Sequence, residues 1–304
     1  MRGGGAYPSR LYAVDVDNVN AVVAAGQFSG SSSTFGGVVL DAAGSGDAMV
    51  WKLSAEGTTL WAVSVGNYNI NLKCVAVDGK NAVVAAGSFG PSSATFGGMT
   101  LGSAGGSDAV LWKLSAEGTT LWAVRGGGRD SDKVQALAVD SANAVVAAVN
   151  FYSSTATFGG VAVTNAGGED AALWKLSGEG TALWAMRSNG TLIGVDVDGA
   201  NAVVATGYFK SSMAMFGDVA LTTAGGYDAF LWKLSAEGTT LWAVRGGGTS
   251  WDRLKGVAVD SANAVVAAVQ FFSSPATFGG VELTAAWIGD TALWKLSGEG
   301  TTLW

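Results

Sequence analysis

Five aspartates, Asp47, Asp108, Asp170, Asp228 and Asp290, each stand four residues before a tryptophan, mostly after glycine-rich sequence. Carboxylates are the usual currency of general acid–base chemistry, and glycoside hydrolysis needs two that converge on one bond. Five equivalent copies are the wrong pattern for such a pair. Capping the loop that enters the next strand is the role expected of them. An acid pair for a glycosidase would have to come from Asp132, Glu169 and Asp252. Asp15-Val16-Asp17-Asn18 and Asp196-Val197-Asp198 are faintly like calcium-ligand runs. They lack the glycine and closing glutamate of an EF-hand loop, and strand alternation sends some of their side chains to opposite faces.

Three glycine triplets, Gly3–Gly5, Gly126–Gly128 and Gly246–Gly248, follow Arg2, Arg125 and Arg245. A phosphate cradle needs a helix N-terminus after the glycines. A strand-like run follows instead, so flexible connections between units are expected. Lys52, Lys113, Lys175, Lys233 and Lys295 recur beside the tryptophans. They read as rim lysines lying along apolar surface, near Glu56 and its equivalents, rather than as Schiff-base formers. The chain has no histidine and one cysteine, Cys74. That excludes His-based triads, most transition-metal sites and any internal disulfide framework. No cofactor and no metal are expected.

The 304 residues are 49% hydrophobic and 13% charged, with a net charge of −7 from 17 Lys+Arg and 24 Asp+Glu. So acidic a balance argues against nucleic acid, whose phosphates demand basic clusters. No apolar run approaches about 18 residues, so no membrane insertion is expected. Met1–Arg10 lacks the apolar stretch of a signal peptide.

These residues are positioned by a repeat. WKLSAEGTTLWAV occurs verbatim from Trp51, Trp112 and Trp232, with close variants from Trp174 and Trp294. The five tryptophans are 61, 62, 58 and 62 residues apart. Asp17, Asp78, Asp140, Asp198 and Asp260 precede Val-rich runs with the same spacing, and Phe35, Phe96, Phe158, Phe216 and Phe278 mark a Phe-Gly motif within each unit. One unit of about 60 residues is copied five times, which displaces the two-domain prior for this length.

Each unit reads as four strands. In the last copy Gly256–Asp260 is the first, a tight turn headed by Asp260 follows, and Asn263–Phe271 is the second. A long loop, Phe272 to Asp290, carries the Phe-Gly pair, and a tryptophan hairpin closes the unit. In the first copy Ala55-Glu56-Gly57 fits a three-residue connection ending in a left-handed glycine. Ser54 then faces Thr58, and counting outward sets Trp51 opposite Trp61 as a buried packing pair.

Four-stranded units in array suggest propeller blades. Ala, Val and Gly fill the first two strands, and Trp and Leu the last two, as a wedge crowded at its axis requires. The fold class expected is all-β, a β-propeller of five four-stranded blades at about 11–66, 74–128, 136–190, 194–248 and 256–304 with 1–5, forming one domain. The ring is expected to be closed by the N-terminal segment completing the last blade. MRGGG aligns with Val244–Gly248, and 304 residues is one short of a seamless circuit. A closed ring would be a monomer, and a fragment of a longer array would associate through open edges.

GVAVD (Gly256–Asp260), N-x-V-V and D-A-x-L-W-K-L-x-x-x-G-x-x-L-W-A resemble the bacterial-type β-propeller repeat (SBBP-type) and, more distantly, NHL repeats. The resemblance covers essentially the whole chain. It implies that the first strand lines the axis and that loops after strands two and four share one face. It also implies cell-surface or secreted settings and interaction scaffolds without assigned chemistry. NHL repeats lack the long Phe-Gly segment, so their partners do not carry over.

Departures from the repeat are where a ligand site must be written. On the face that the resemblance assigns to loops, the candidates are Tyr7, Tyr68, Arg125, Arg129, Asp132, Tyr152, Tyr227, Arg245, Trp251, Asp252 and Trp287. Lys210, Met213, Met215 and Asp218 also vary there. Aromatics beside Asp, Asn and Arg suit a protein or glycan ligand. The function expected is a non-enzymatic binding or interaction scaffold. The alternatives are a lectin-like carbohydrate binder, for which the loops diverge too much, and a recently duplicated or designed repeat without an evolved ligand.

Overall fold

The computed structural model describes residues 2–42, 46–66, 69–90, 92–165, 170–286 and 289–304. The chain is all-β throughout these residues, and its repeat is the unit of construction. In the third unit the four strands are Asp132–Val139, Val145–Phe151, Asp170–Leu176 and Ala182–Ser188, antiparallel and in chain order. Val and Ala on both sides of the second strand are buried because neighbouring sheets cover both its faces.

The turn between the first two strands forms as expected. Asp140 Oδ1 accepts the N–H groups of Ala142 (3.0 Å) and Ala144 (2.8 Å), and Asn143 takes the left-handed conformation at φ 62°. Asn143 Oδ1 also accepts the Gly79 N–H at 2.8 Å, tying the turn to the preceding unit.

The Phe-Gly segment is not a loop. It is a hairpin, Thr155–Phe158 and Val161–Thr164, turning at Gly159-Gly160 with φ of 58° and 90°. It leaves its own unit: Phe158 and Thr157 pair with Gly126 and Gly127 at the end of the second unit's fourth strand. The sheets of the second, third and fourth units therefore have six strands, two of them lent by the following unit, while the first unit's sheet has four. The glycine triplets are accordingly ladder residues and not flexible connections. A Cβ on Gly126 would lie 2.5 Å from Phe158 Cδ1 and 2.9 Å from Trp174 Cζ3, so only glycine lets the lent hairpin close.

The tryptophan hairpin turns as expected, with Ser54 N–H on Thr58 O (2.7 Å) and Gly57 at φ 83°. Its register differs by one. A bulge at Leu60 pairs Lys52 with Trp61 and Trp51 with Ala62, so the two tryptophans lie on opposite faces. Trp174 is wholly buried inside its sheet stack, while Trp184 reaches across to the next unit, its Nε1 donating to Ala236 O at 2.9 Å. The lysines are not at the rim either. Lys175 is buried and its Nζ lies 2.8 Å from Asp140 Oδ2. Lys52–Asp17, Lys113–Asp78 and Lys233–Asp198 repeat the buried pair.

Four apolar clusters cement unit 1 to 2, 2 to 3, 3 to 4 and 4 to 5. The outer faces of the end units stay open. Leu11 is 54% exposed, whereas its equivalents Leu72, Val134, Leu192 and Leu254 are buried. Leu293 is 60% exposed, whereas Leu111, Leu173 and Leu231 are buried. Gly3–Gly4 pair with Phe35 and Thr34 of the first unit's hairpin. The third strand of the last unit, Asp290–Leu296, pairs with Val265–Phe271 and meets Thr302 and Trp304 on its other side. Among the described residues it does not pair with Gly3–Gly4, so the expected closure by the N-terminal segment is not what the structure forms. A residue count near five full repeats does not set curvature. The side-chain volume wedged between successive sheets does.

Candidate functional site

The loops after second and fourth strands share one face, and the backbone fixes them to each other. Tyr227 N–H donates to Ser250 O at 3.0 Å, and Asp252 N–H to Tyr227 O at 2.7 Å. Asp228 caps the incoming loop: Oδ2 accepts Ala224 N–H and Thr223 Oγ1, both at 2.6 Å, and Oδ1 lies 3.3 Å from Arg245 Nη1. This is the capping role expected of the aspartates before the third strand.

On this frame three aromatic rings meet. Tyr208, at the end of the fourth unit's second strand, lies edge-on to Tyr227 at 5.3 Å between centroids and 80°. Tyr227 lies edge-on to Trp251 at 5.3 Å and 75°. Lys210 Nζ sits 5.4 Å from the Tyr227 ring centre, close enough for cation–π attraction. A cleft of about 450 Å³ runs between Asn189, Thr191, Tyr208, Lys210, Ser211 and Tyr227, and a smaller apolar hollow of about 120 Å³ opens beside Trp251 and Arg253. Trp251 is 61% exposed.

Among the described residues the cluster is confined to one unit junction. The strand registers align Tyr208 with Gln27, Ser88, Asn150 and Gln270, and Trp251 with Pro8, Asn69, Ser131 and Asn189. Packing does not demand the rings, because the other units stack without them. Asn150 at the Tyr208 position is instead buried, exchanging bonds with the Leu192 backbone at 2.9 and 3.1 Å.

Of the candidates named from sequence, Tyr227 and Trp251 are brought together. Arg125 and Arg245 are held by the loop-capping aspartates Asp108 (3.1 Å) and Asp228. Asp252 is buried and accepts Gly248 N–H, Phe272 N–H, Ser273 N–H and Ser273 Oγ, so its oxygens face inward. Asp132 is its equivalent in the third unit, with Oδ2 on Gly128 N–H at 2.7 Å. Burial, with the charge of Asp108 adding to it, pushes the Asp132 carboxyl up to about 6 despite that bond. Tyr7, Arg129 and Tyr152 are exposed in loops of other units. Tyr68 and Trp287 lie outside the described residues. Tyr208 was missed, although an aromatic where four other copies carry Gln, Ser or Asn was a readable signal.

The cleft can hold a flat or apolar group against its rings and bond polar edges through Lys210, Asn189 and Ser211. Asp132 and Asp252 stand in different units, each engaged in its own loop, so these two do not form an acid pair, and Glu169 lies outside the described residues. Burial pushes the Cys74 thiol up to about 12, leaving it inert as a nucleophile. Among the described residues no three His, Cys, Asp or Glu side chains group as a metal site would need.

The chain superposes on the WD40 domain of Neurospora crassa Pan2 with a TM-score of 0.52 at 8% identity, over 97% of this chain and 65% of that one. The fold is that of a β-propeller. The chain thus spans less than two thirds of the length of the Pan2 domain it matches. BamB from Moraxella catarrhalis (TM-score 0.35, 12% identity, 84% and 82% covered) and the WD40 β-propeller domain of Doa1 (0.26, 12%, 88% and 92%) are more distant. No protein-family model and no curated protein matches the chain, so the likeness to SBBP-type repeats rests on the motif alone.

Proposed function

We propose that the chain is a non-enzymatic binding scaffold whose five units act as propeller blades and whose working surface is the loop-rich face. The carrying observation is the Tyr208–Tyr227–Trp251 cluster, an exposed aromatic cleft that among the described residues is written into one blade junction. Aromatic rings held by backbone bonds give contact area at little entropic cost, the property of binding hot spots. A glycan-binding reading draws on the exposed Trp251 ring, which a sugar could stack upon. The test is to pan a random-peptide library on the immobilised chain. Sequences that bind the parent and Glu117→Ala, on the opposite face, but lose Trp251→Ala and Tyr208→Ala support the scaffold. Enrichment indifferent to both aromatic variants, or no enrichment, overturns it. A glycan array bound only through Trp251 transfers the cleft to sugar.

A further inference from the structure

The chain is acidic overall, with 17 Lys+Arg against 24 Asp+Glu, yet its free charge is sorted by face. Five lysines and three arginines are held in ion pairs with aspartates of the turns and loop caps. Nine cations, the 17 less those eight, lie outside these pairs. Five of the nine stand where the axial first strands enter from the loop-rich face: Arg10, Lys73, Lys133, Arg253 and Lys255. Arg129 and Lys210 flank them in loops of the same face.

Of the nearby carboxylates, Asp132 and Asp252 are buried on backbone N–H groups and serines, and the exposed Asp130 beside Arg129 leaves the cations of this face in excess. Partial burial, with the like charge of Arg253 adding to it, lowers the affinity of Lys255 for its proton. On the opposite face the loops between third and fourth strands expose Glu56, Glu117, Glu179, Glu237 and Glu299.

Between the first three units the mouth opens into a polar pocket of about 220 Å³, where Lys73 and Lys133 converge with Gln27, Asn69, Asn71 and Ser107. Amides that both donate and accept suit a peptide backbone, and the two ammonium groups suit its carboxylates. A net charge of −7 repels a uniform polyanion such as nucleic acid at long range, while a short acidic segment meets only the local field.

We infer that the axial mouth of the loop-rich face is a docking site for an acidic polypeptide segment, its carboxylates on Lys73 and Lys133. The inference rests on the loop-rich face being the working surface. The charge sorting also orients the encounter, since the glutamate face turns such a segment away.

The test uses the whole chain and a fluorescein-labelled oligoglutamate peptide, read by anisotropy at low salt. Binding is expected to weaken about tenfold or more in Lys73→Glu and Lys133→Glu, and to fall as salt rises. Lys80→Glu makes the same charge change on the opposite face and is expected to leave binding within about twofold. Lys73, Lys80 and Lys133 are exposed, so unchanged melting temperatures confirm that these variants fold. Equal loss in Lys80→Glu and Lys73→Glu, or no binding at low salt, overturns the site. Tighter binding of a heparin-derived oligosaccharide through the same lysines overturns the peptide assignment. If library sequences dock through Trp251 while oligoglutamate does not bind, the scaffold reading stands and this one fails.

Discussion

Lys175 faces Trp184 across the tryptophan hairpin of the third unit, and both side chains donate to one acceptor, the carbonyl of Ala236 in the next unit, at 3.3 and 2.9 Å. The bulge that shifts the register by one residue creates this partnership. Lys175 also pairs with Asp140 at 2.8 Å, both side chains at most 3% exposed, so one lysine joins the turn, the hairpin and the neighbouring unit.

Breaking that pair strands a buried charge. Lys175→Met should cost about 3–5 kcal/mol in urea unfolding, and adding Asp140→Asn should recover much of it. Lys295 and Asp260 form the same pair at the open end, 25% and 36% exposed. There Lys295→Met should cost under about 1 kcal/mol.

The open end faces make a second contrast. Leu72 is buried between the first two units, so Leu72→Ala should destabilise by about 2–5 kcal/mol. Leu11 occupies the equivalent strand position but is exposed, and Leu11→Ala should stay within about 0.5 kcal/mol. Equal costs in thermal melts would mean that the first unit's outer face is covered in solution.

Gly126 is a place where two units are clasped. Gly126→Ala pushes a methyl group into Phe158 and Trp174, and should lower stability by about 1–3 kcal/mol while speeding amide exchange in Thr155–Thr164. Gly256→Ala, with open space around its Cβ, should be nearly silent.

Asp132 gives a pH signature. Its carboxyl is raised to about 6 in the fold, so the folded chain holds a proton that the unfolded chain releases. The stabilising contribution is complete below the ordinary aspartate range near 4 and is lost as pH rises through about 6. Melting temperatures measured from pH 5 to 7 should therefore fall less steeply in Asp132→Asn than in the parent chain. Parallel curves would show that Asp132 ionises normally.

Much of this architecture was legible because five near-copies expose their own constraints. The Asp140 turn, the left-handed Gly57 and the loop-capping role of Asp108 and Asp228 are local, and local backbone chemistry is written in adjacent residues. The Tyr227 and Trp251 departures were visible for the same reason. What misled was counting across strands. Leu60 bulges, and one extra residue reverses every side chain beyond it, so Trp51 and Trp61 part. The lysines misread as rim residues because nothing local shows that Asp140 lies across the sheet from Lys175.

The sequence by itself determined the repeat, its strand order, its turns and the junction where the copies stop agreeing. Only the tertiary structure decided which strands belong together between units. The Phe-Gly hairpin joins the sheet of the preceding unit, Tyr208 completes the aromatic cleft, and the first and last faces remain apart. Those outcomes depend on long-range packing volume and register, which a periodic sequence repeats five times without specifying how its copies meet.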